Sequence, residues 1–425
     1  MPHSELLDLF LSSTGICTDT RKLQKGQLFV ALKGDNFNGN AFASQALKEG
    51  ARAVIIDEVK YASPQGTYLV NDGLIALQRL AQEYRRTLSC PTLALTGSNG
   101  KTTTKELIDA VLSTKYKVHA TAGNYNNHIG VPLTILSAPS DTEILILEMG
   151  ANHLGEIKEL CDIALPDYGL ITNIGRAHLE GFGSLAGVIE GKTEMYRHIA
   201  KSGRLVFYDK SDETLFNQLP SGIKAVSYRK DVVFTRDKLK LGFNLSKKDY
   251  LTQLVGSYNQ PNIEAALSVS QYFDVEDKLA AQAIADYIPK INRSETETIG
   301  DCELILDAYN ANPTSMRAAI NSFRSHKTTK NKNLILGDMK ELGHASVALH
   351  REIIDLVSES AWHSITLIGP HFTQASEQSG YSGQTYKTLK ACIADFDSIK
   401  GAMKKGITLL KASRSLKLES LKDLL

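Results

Sequence analysis

The chain has 425 residues, enough for about three domains at roughly 150 residues each. Hydrophobic residues make up 42% and charged residues 22%, a normal globular balance, and a formal charge of +1 offers no basic surface to nucleic acid or an anionic membrane. Five dispersed cysteines (Cys17, Cys90, Cys161, Cys302, Cys392) without C-x-x-C read as reduced cytoplasmic thiols, not a disulfide frame or zinc site. The opening Met1-Pro2-His3-Ser4-Glu5 lacks a basic, apolar leader, and no apolar run approaches the roughly 20 residues of a membrane span.

Residues 1–90 read as a small α/β domain. Leu28–Leu32 and Ala53–Ile56 are strands, Ala41–Glu49 is a helix ended by Gly50, and Leu74–Thr87 is a longer helix. Thr18-Asp19-Thr20-Arg21 and Lys33–Asn40 flank the first strand and read on spacing as turns. Cys90-Pro91 breaks the chain. A second domain, 91–294, alternates strands at 92–96, 117–120, 143–148, 168–173 and 204–207 with helices at 101–114, 154–164 and 184–201, the pattern of a parallel sheet with helices on both faces. Residues 224–255 read as a small antiparallel addition, followed by a helix from Asn259 to about Phe273. The third domain, 295–425, alternates again: strands 303–306, 333–336, 365–368 and 407–410, helices 313–324, 346–361, 388–396 and 415–424.

The strongest chemical signal is Thr96-Gly97-Ser98-Asn99-Gly100-Lys101-Thr102-Thr103-Thr104, with an apolar strand before it and a helical pattern after it. In such a loop the backbone N–H groups at a helix N-terminus cradle phosphates. Lys101 reaches the terminal phosphates, and the Thr102 hydroxyl can serve Mg²⁺. The first glycine of the general phosphate-loop pattern would fall at Leu95, leaving G-x-x-G-K-T. Glu148 ends the strand Glu143–Glu148 at the edge where open α/β sheets bind ligands, so its carboxylate is placed for Mg²⁺, or else for a cap or ion pair. His178 alone would more often be structural, and Lys192 alone reads as a solvated helix lysine. Asn124-Tyr125-Asn126-Asn127-His128-Ile129-Gly130 is a turn that could also grip a ligand. Asp307–Pro313 and Gly337–Gly343 put polar loops at two strand ends of the third domain, making one of its faces a ligand face.

Together these segments resemble the Mur ligases, the ATP-dependent amide-bond ligases of peptidoglycan synthesis. Thr96–Thr102 matches the family phosphate loop, including its missing first glycine. Further resemblance lies in Thr18–Arg21, Gly123–Asn127 with Ile129–Pro132, Glu148–His153, Ala177–Ser184, Tyr309–Pro313 and Gly337–Gly343. The last two point to the member that adds a D-alanyl-D-alanine dipeptide. The resemblance implies three α/β domains: one for the UDP-precursor, a central phosphate-loop ATPase with a mostly parallel sheet, and a Rossmann-like third that binds the dipeptide and closes on the active site. The implied reaction is phosphorylation of the UDP-linked tripeptide carboxylate by ATP and attack of the dipeptide amine on the acyl phosphate, with two Mg²⁺ ions.

The same resemblance implies roles. Gly97, Ser98, Asn99, Gly100, Lys101, Thr102 and Thr103 would hold the phosphates, Asn259 and Asn262 the adenine, and Arg293 and Asp307 the γ-phosphate and ribose. Thr102 and Glu148 would hold one Mg²⁺. His178 would hold the other, with Lys192 carbamylated beside it. Lys101, Lys192, His178 and Glu148 form the implied catalytic set. Thr20, Arg21, Gly34, Asn36, Asn124, Asn126 and Asn127 would face the UDP-tripeptide, and Asn310, Asn312, Asp338, Glu341 and His350 the dipeptide. The chain departs from the family at Tyr258, usually histidine; at Asn38-Gly39-Asn40, usually D-G-H; and at Ala412, usually glycine. A monomer acting on small molecules is expected. The competing readings are a folylpolyglutamate synthetase, the ligase adding the third residue, an inactive Mur-like scaffold and a plain phosphate-loop kinase.

Overall fold

The computed structural model describes residues 3–202, 204–237, 239–289 and 293–425. Met1 and Pro2, which begin the opening read as leaderless, and residues 290–292, which adjoin the boundary placed at 294, lie outside the described residues.

The first unit is a parallel sheet in the order Ile16–Cys17, Leu28–Val30, Ala53–Ile56, Thr67–Leu69. Its alternating side chains feed two cores. Phe29, Val54 and Ile56 pack with Ala43 and Ala46 of the helix Ala43–Lys48. Leu28, Val30 and Ile55 pack with Leu77, Leu80 and Ala81 of the helix Gly73–Thr87. The outer strands are two and three residues long, too short to register as periodicity. Lys33–Asn40, read as a turn, carries a small hairpin, Lys33–Gly34 with Phe37–Asn38.

The central sheet has six strands, all parallel, in the order Lys224–Ser227, Leu205–Tyr208, Tyr168–Ile171, Thr92–Thr96, Ile144–Glu148, Val118–Ala120. The phosphate-loop strand Thr92–Thr96 is thus interior, flanked by the strands that end at Glu148 and lead to Asn173. Lys224–Ser227 corrects the reading of 224–255 as one antiparallel addition: it pairs in parallel with Leu205–Tyr208 and extends this sheet. The antiparallel part is Val233–Asp237, Lys240–Leu245 and Lys248–Val255. Ser246 and Lys247, both at positive φ, make the two-residue turn between the last two of these strands.

The third sheet runs Glu295–Ile299, Cys302–Asp307, Gly406–Lys411, Asn331–Gly337, Ser364–Ile368, Gln384–Tyr386, parallel except for its first strand. The helix expected at 415–424 is instead two 3₁₀ segments, Arg414–Leu416 and Leu418–Leu424, separated by Lys417 at φ +53. Leu418 and Leu421 are fully buried, and Leu424 packs beside them. A three-residue spacing suits three residues per turn, and that seam sets the winding. Ala412 is also fully buried, and a Cβ on Gly337 would lie 2.7 Å from its methyl, so the methyl at 412 fits because the residue facing it is a glycine.

The units are joined by polar and apolar contacts. One continuous apolar core runs from the first sheet into the central one. Beside it, Tyr84 donates to the Ala138 carbonyl (2.8 Å) and buried Arg85 meets Asp167 (3.0 Å). Burial pushes the Cys302 and Cys392 thiols up to about 11, and all five cysteines are free and buried. Among the described residues, no helix is long and apolar enough to cross a membrane.

Candidate active site

The phosphate loop is shaped by two glycines. Gly97 has φ +142, and a Cβ there would lie 2.0 Å from the Thr172 hydroxyl. Gly100 caps the helix Lys101–Leu112 at φ +79, with the Asn262 amide 2.7 Å from where a Cβ would stand. The neighbouring strand end fixes the rest. Asn173 accepts from the Asn99 N–H (3.1 Å) and donates to the Asn99 carbonyl (2.9 Å). Thr172 donates to that carbonyl as well (2.6 Å), and the Ser98 hydroxyl bridges to Gly175 (3.1 and 2.9 Å). The loop is therefore braced before any phosphate arrives.

Lys101 donates to the Gly97 carbonyl (2.8 Å). Burial lowers its pKa; Glu148 opposes this and the nearby Arg293 charge adds to it. Thr102 donates to one oxygen of Glu148 (2.8 Å), and Asn126 donates to the other (2.7 Å). Glu148 is 2% exposed. This sparse pair of oxygen donors fits Mg²⁺, which takes few protein ligands and completes its shell with water and substrate phosphate. Among the described residues, no group of three or more His, Cys, Asp or Glu could hold a metal unaided.

These residues line a cleft of about 640 Å³ between the central and third units, with Ser98 to Thr103 on one wall and Arg293, Asp307, Tyr309 and Asn310 on another. Asn259 and Asn262 also line it; Asn262 donates to Asn259 (2.8 Å), and Thr104 donates to Asn262 (3.0 Å). The Arg293 guanidinium lies over the Tyr309 ring at 3.6 Å. Lys411, 2% exposed, holds Asp307 at 2.7 Å. Tyr258 points its hydroxyl at Ser294 (2.6 Å), and burial raises its pKa.

Lys192 is not the solvated lysine that its helix position suggests. It is 1% exposed, donates to the Ala151 carbonyl (3.0 Å) and lies over the Phe182 ring. Burial, then repulsion from Lys101, lowers its pKa well below the ordinary value, against Glu156 and Glu194. His178 (φ +55) lines the cleft and pairs through Nδ1 with Glu341, a third-unit residue at φ +62. The Glu180 N–H donates to the Glu341 carbonyl (3.1 Å), so the two segments dock together, and the His178 hydrogen bond holds the Glu341 carboxyl low.

A second cavity of about 790 Å³ lies between the first and central units. Thr18, Asp19 and Lys22 line one side; His119, Asn124 and Asn127 line the other, and Asn124 and Asn127 also line the first cleft. Thr20 and Arg21, between Asp19 and Lys22, are not among the residues that line it; Arg21 is doubly hydrogen-bonded to Asp19 (2.8 and 2.8 Å). Gly34 and Asn36 are exposed on the hairpin and do not line this cavity. Asn40 of the altered D-G-H segment is buried and bonded to Asp57, so that segment ties the hairpin to the sheet.

The five dipeptide candidates divide. Asn310 lines the cleft and Glu341 meets His178. Asn312, Asp338 and His350 do not face open space. Asn312 caps the helix Pro313–Arg324, accepting from the Ser315 N–H (2.9 Å). Asp338, fully buried, accepts from the His371 and Phe372 N–H groups (both 3.0 Å) at the start of the helix Pro370–Ser379. His350 is equally buried: Nε2 accepts from the Met339 N–H (3.0 Å) and Nδ1 donates to the Ser346 carbonyl (2.7 Å). A ring that accepts on Nε2 is neutral, and burial lowers its pKa, so its 3.5 Å approach to Asp338 is not an ion pair. Asp338→Ala is expected to strip two amides of their acceptor and destabilise the third unit by about 2 kcal/mol. Calorimetry checks this; an unchanged melting midpoint with lost dipeptide affinity would return Asp338 to the substrate.

Lys411, Tyr309 and Glu156 line the first cleft and Lys22 the second cavity, although none of the four stands out as a ligand residue in the sequence. The signal for Lys411 is its position at a strand end beside the strand that carries Asp307.

Comparison with known proteins places this geometry. Residues 12–85 match the Mur ligase family catalytic domain, 95–270 the Mur ligase middle domain, and 292–414 the Mur ligase glutamate ligase domain. The UDP-N-acetylmuramoyl-tripeptide–D-alanyl-D-alanine ligase of Bacillus subtilis is 36% identical, over 97% of this chain and 93% of that protein. Crystal structures of MurF from Acinetobacter baumannii and of MurF from Thermotoga maritima in complex with ADP each superpose with a TM-score of 0.85 at 27% identity, covering 98% of this chain and 97% of theirs. With its three units matched in order and one relative matched almost end to end, this chain belongs to the Mur ligase family.

Proposed function

We propose that this chain joins D-alanyl-D-alanine to UDP-N-acetylmuramoyl-tripeptide at the expense of ATP, forming the pentapeptide precursor of peptidoglycan in the bacterial cytoplasm as a monomer. The observation that carries this reading is the meeting of three groups in one cleft: the braced phosphate loop, the Thr102–Glu148 pair, and the polar third-unit edge with Asn310. The units 1–90, 91–294 and 295–425 serve precursor, ATP and dipeptide respectively. The cavity beside Thr18 and Asp19 takes the uridine diphosphate end, and the Asn124–Asn127 loop, common to both cavities, passes the peptide to the phosphates.

A carboxylate is a poor acyl donor until one oxygen becomes a phosphate leaving group. Lys101 and the N–H groups of Gly97 to Thr102 bind the triphosphate and neutralise the charge that gathers as the tripeptide carboxylate approaches. Asn259 and Asn262 receive the adenine; Arg293 and Asp307 receive the γ-phosphate and ribose. Thr102 and Glu148 would hold one Mg²⁺ and His178, with carbamylated Lys192, a second; bound there, the ions screen the phosphoryl oxygens. Carbamylation suits Lys192, because burial lowers its pKa and so favours the neutral amine, and a neutral amine takes up CO₂ with loss of one proton to give an anionic oxygen ligand. The docked third unit then keeps water from the acyl phosphate while the dipeptide amine attacks.

The test is phosphate release with substrates supplied singly and together. Release is expected only with UDP-tripeptide and D-alanyl-D-alanine both present. Turnover with glutamate or a diamine in place of the dipeptide would move the chain to another branch of the family, and release with neither would leave a simple ATPase. Small-angle scattering with an ATP analogue and UDP-tripeptide is expected to show a more compact particle than the free protein, since the third unit must open to admit substrate. Identical curves would count against closure.

A further inference from the structure

We propose that Asn312 is a positioning residue for the phosphate loop: by holding the amide oxygen of Asn99, it turns the Asn99 N–H₂ group toward the phosphates, and it does so only when the third unit is docked. This rests on the phosphate-loop reading above. Hydrogen-bond direction fixes both amides. The Ser315 backbone N–H can only donate, so the Asn312 atom facing it is the oxygen (2.9 Å). The other end of the Asn312 amide is therefore its nitrogen, which must donate. It points across the junction to Asn99 at 2.7 Å, and the atom it meets there must be Oδ1.

The orientation of Asn99 is thus dictated from the helix start at Pro313. Its backbone is already satisfied: the N–H by Asn173, the carbonyl by Thr172 and Asn173. What remains is Nδ2, buried and without an acceptor among the described residues. Asn99 stands in the loop between Ser98 and Gly100, lining the cleft. A buried donor that the protein leaves unpaired calls for an acceptor from outside, and here the acceptor is a phosphate oxygen. Without the third unit the amide is free to turn, and the loop lacks one oriented donor. Docking of the domain that brings the amine thereby completes the site for phosphoryl transfer.

Asn312→Asp tests this. Asp caps a helix as well as Asn does, so Ser315 keeps its acceptor. The new carboxylate cannot donate; the Asn99 amide must turn to donate to it, presenting oxygen to the phosphates. The expected result is an unchanged melting midpoint, a turnover loss on the order of 100-fold with little change in KM for the dipeptide, and weaker calorimetric binding of a non-hydrolysable ATP analogue. In an Asn99→Ala background, Asn312→Asp is expected to add no further loss in either measurement. Wild-type behaviour of Asn312→Asp would overturn the proposal. So would a loss that persists in full on the Asn99→Ala background, which would mean direct dipeptide contact or charge alone. Failure of the wild type to ligate would sink the functional reading instead; analogue binding tests the amide pair in either case.

Discussion

Lys101→Ala is expected to abolish ligation and leave the protein folded. The rate loss is at least on the order of 100-fold, since a preorganised charge in a site that excludes water stabilises a transition state more than almost any other device an enzyme has. The structure adds a sign that motif matching does not supply. Lys101 sits where burial disfavours its ammonium, with the Gly97 carbonyl its one hydrogen-bond acceptor among the described residues. A lysine whose pKa is lower folded than unfolded costs stability wherever the unfolded chain is still protonated, and that cost fades as pH rises through the unfolded value. Removing the side chain therefore should not lower the melting midpoint at neutral pH and should raise it slightly, more at pH 7 than at pH 10. Calorimetry beside a coupled phosphate assay measures both. A folded Lys101→Ala protein with near-normal turnover would remove Lys101 from the reaction, and a falling midpoint would make it a structural residue.

The second large effect is expected at Lys192. Lys192→Ala should lose activity on the same scale, and acetate, a small carboxylate able to enter the space left beside Phe182, should restore part of it. Acetate should do nothing for Lys101→Ala, whose missing group is a cation. A readout apart from turnover is ¹³C NMR in labelled bicarbonate: a carbamate carbon is expected in the wild type and absent in Lys192→Ala. The physical ground is that, among the described residues, Lys192 has one hydrogen bond, to Ala151, and a neighbouring aromatic ring, a poor setting for an ammonium and a suitable one for a neutral amine. Full activity in Lys192→Ala, or no carbamate signal in an active wild-type sample, would end this assignment.

Local pattern by itself determined much of this protein. The run Leu93–Leu95, the glycines at 97 and 100 and the helical spacing after Lys101 specify strand, phosphate loop and helix from neighbouring residues alone, because a loop that needs positive φ at fixed positions leaves few choices of residue. Strands of four or more buried residues, and the helix 313–324 with its Asn-Pro start, were legible for the same reason. Length and periodicity gave three α/β units and the strand ends where ligands bind.

Tertiary structure decided what depends on residues far apart in sequence. Lys192 looks solvated on its helix; only the approach of Ala151 and Phe182 buries it. Asp338 sits in a polar loop that invites a ligand and His350 on the helix that follows it, yet the amides starting the helix at Pro370 take up Asp338, and the Met339 N–H and Ser346 carbonyl take up His350. Lys224–Ser227 carries no mark that separates it from the antiparallel strands after it; the free parallel edge at Leu205–Tyr208 captures it. Leu418 and Leu421 suit a helix as well as a 3₁₀ turn until the core beneath fixes their spacing. The contacts between Asn99 and Asn312, and between His178 and Glu341, have no sequence signature: each side chain has a sufficient local explanation, and which end of an amide faces a ligand is set by a donor on another domain.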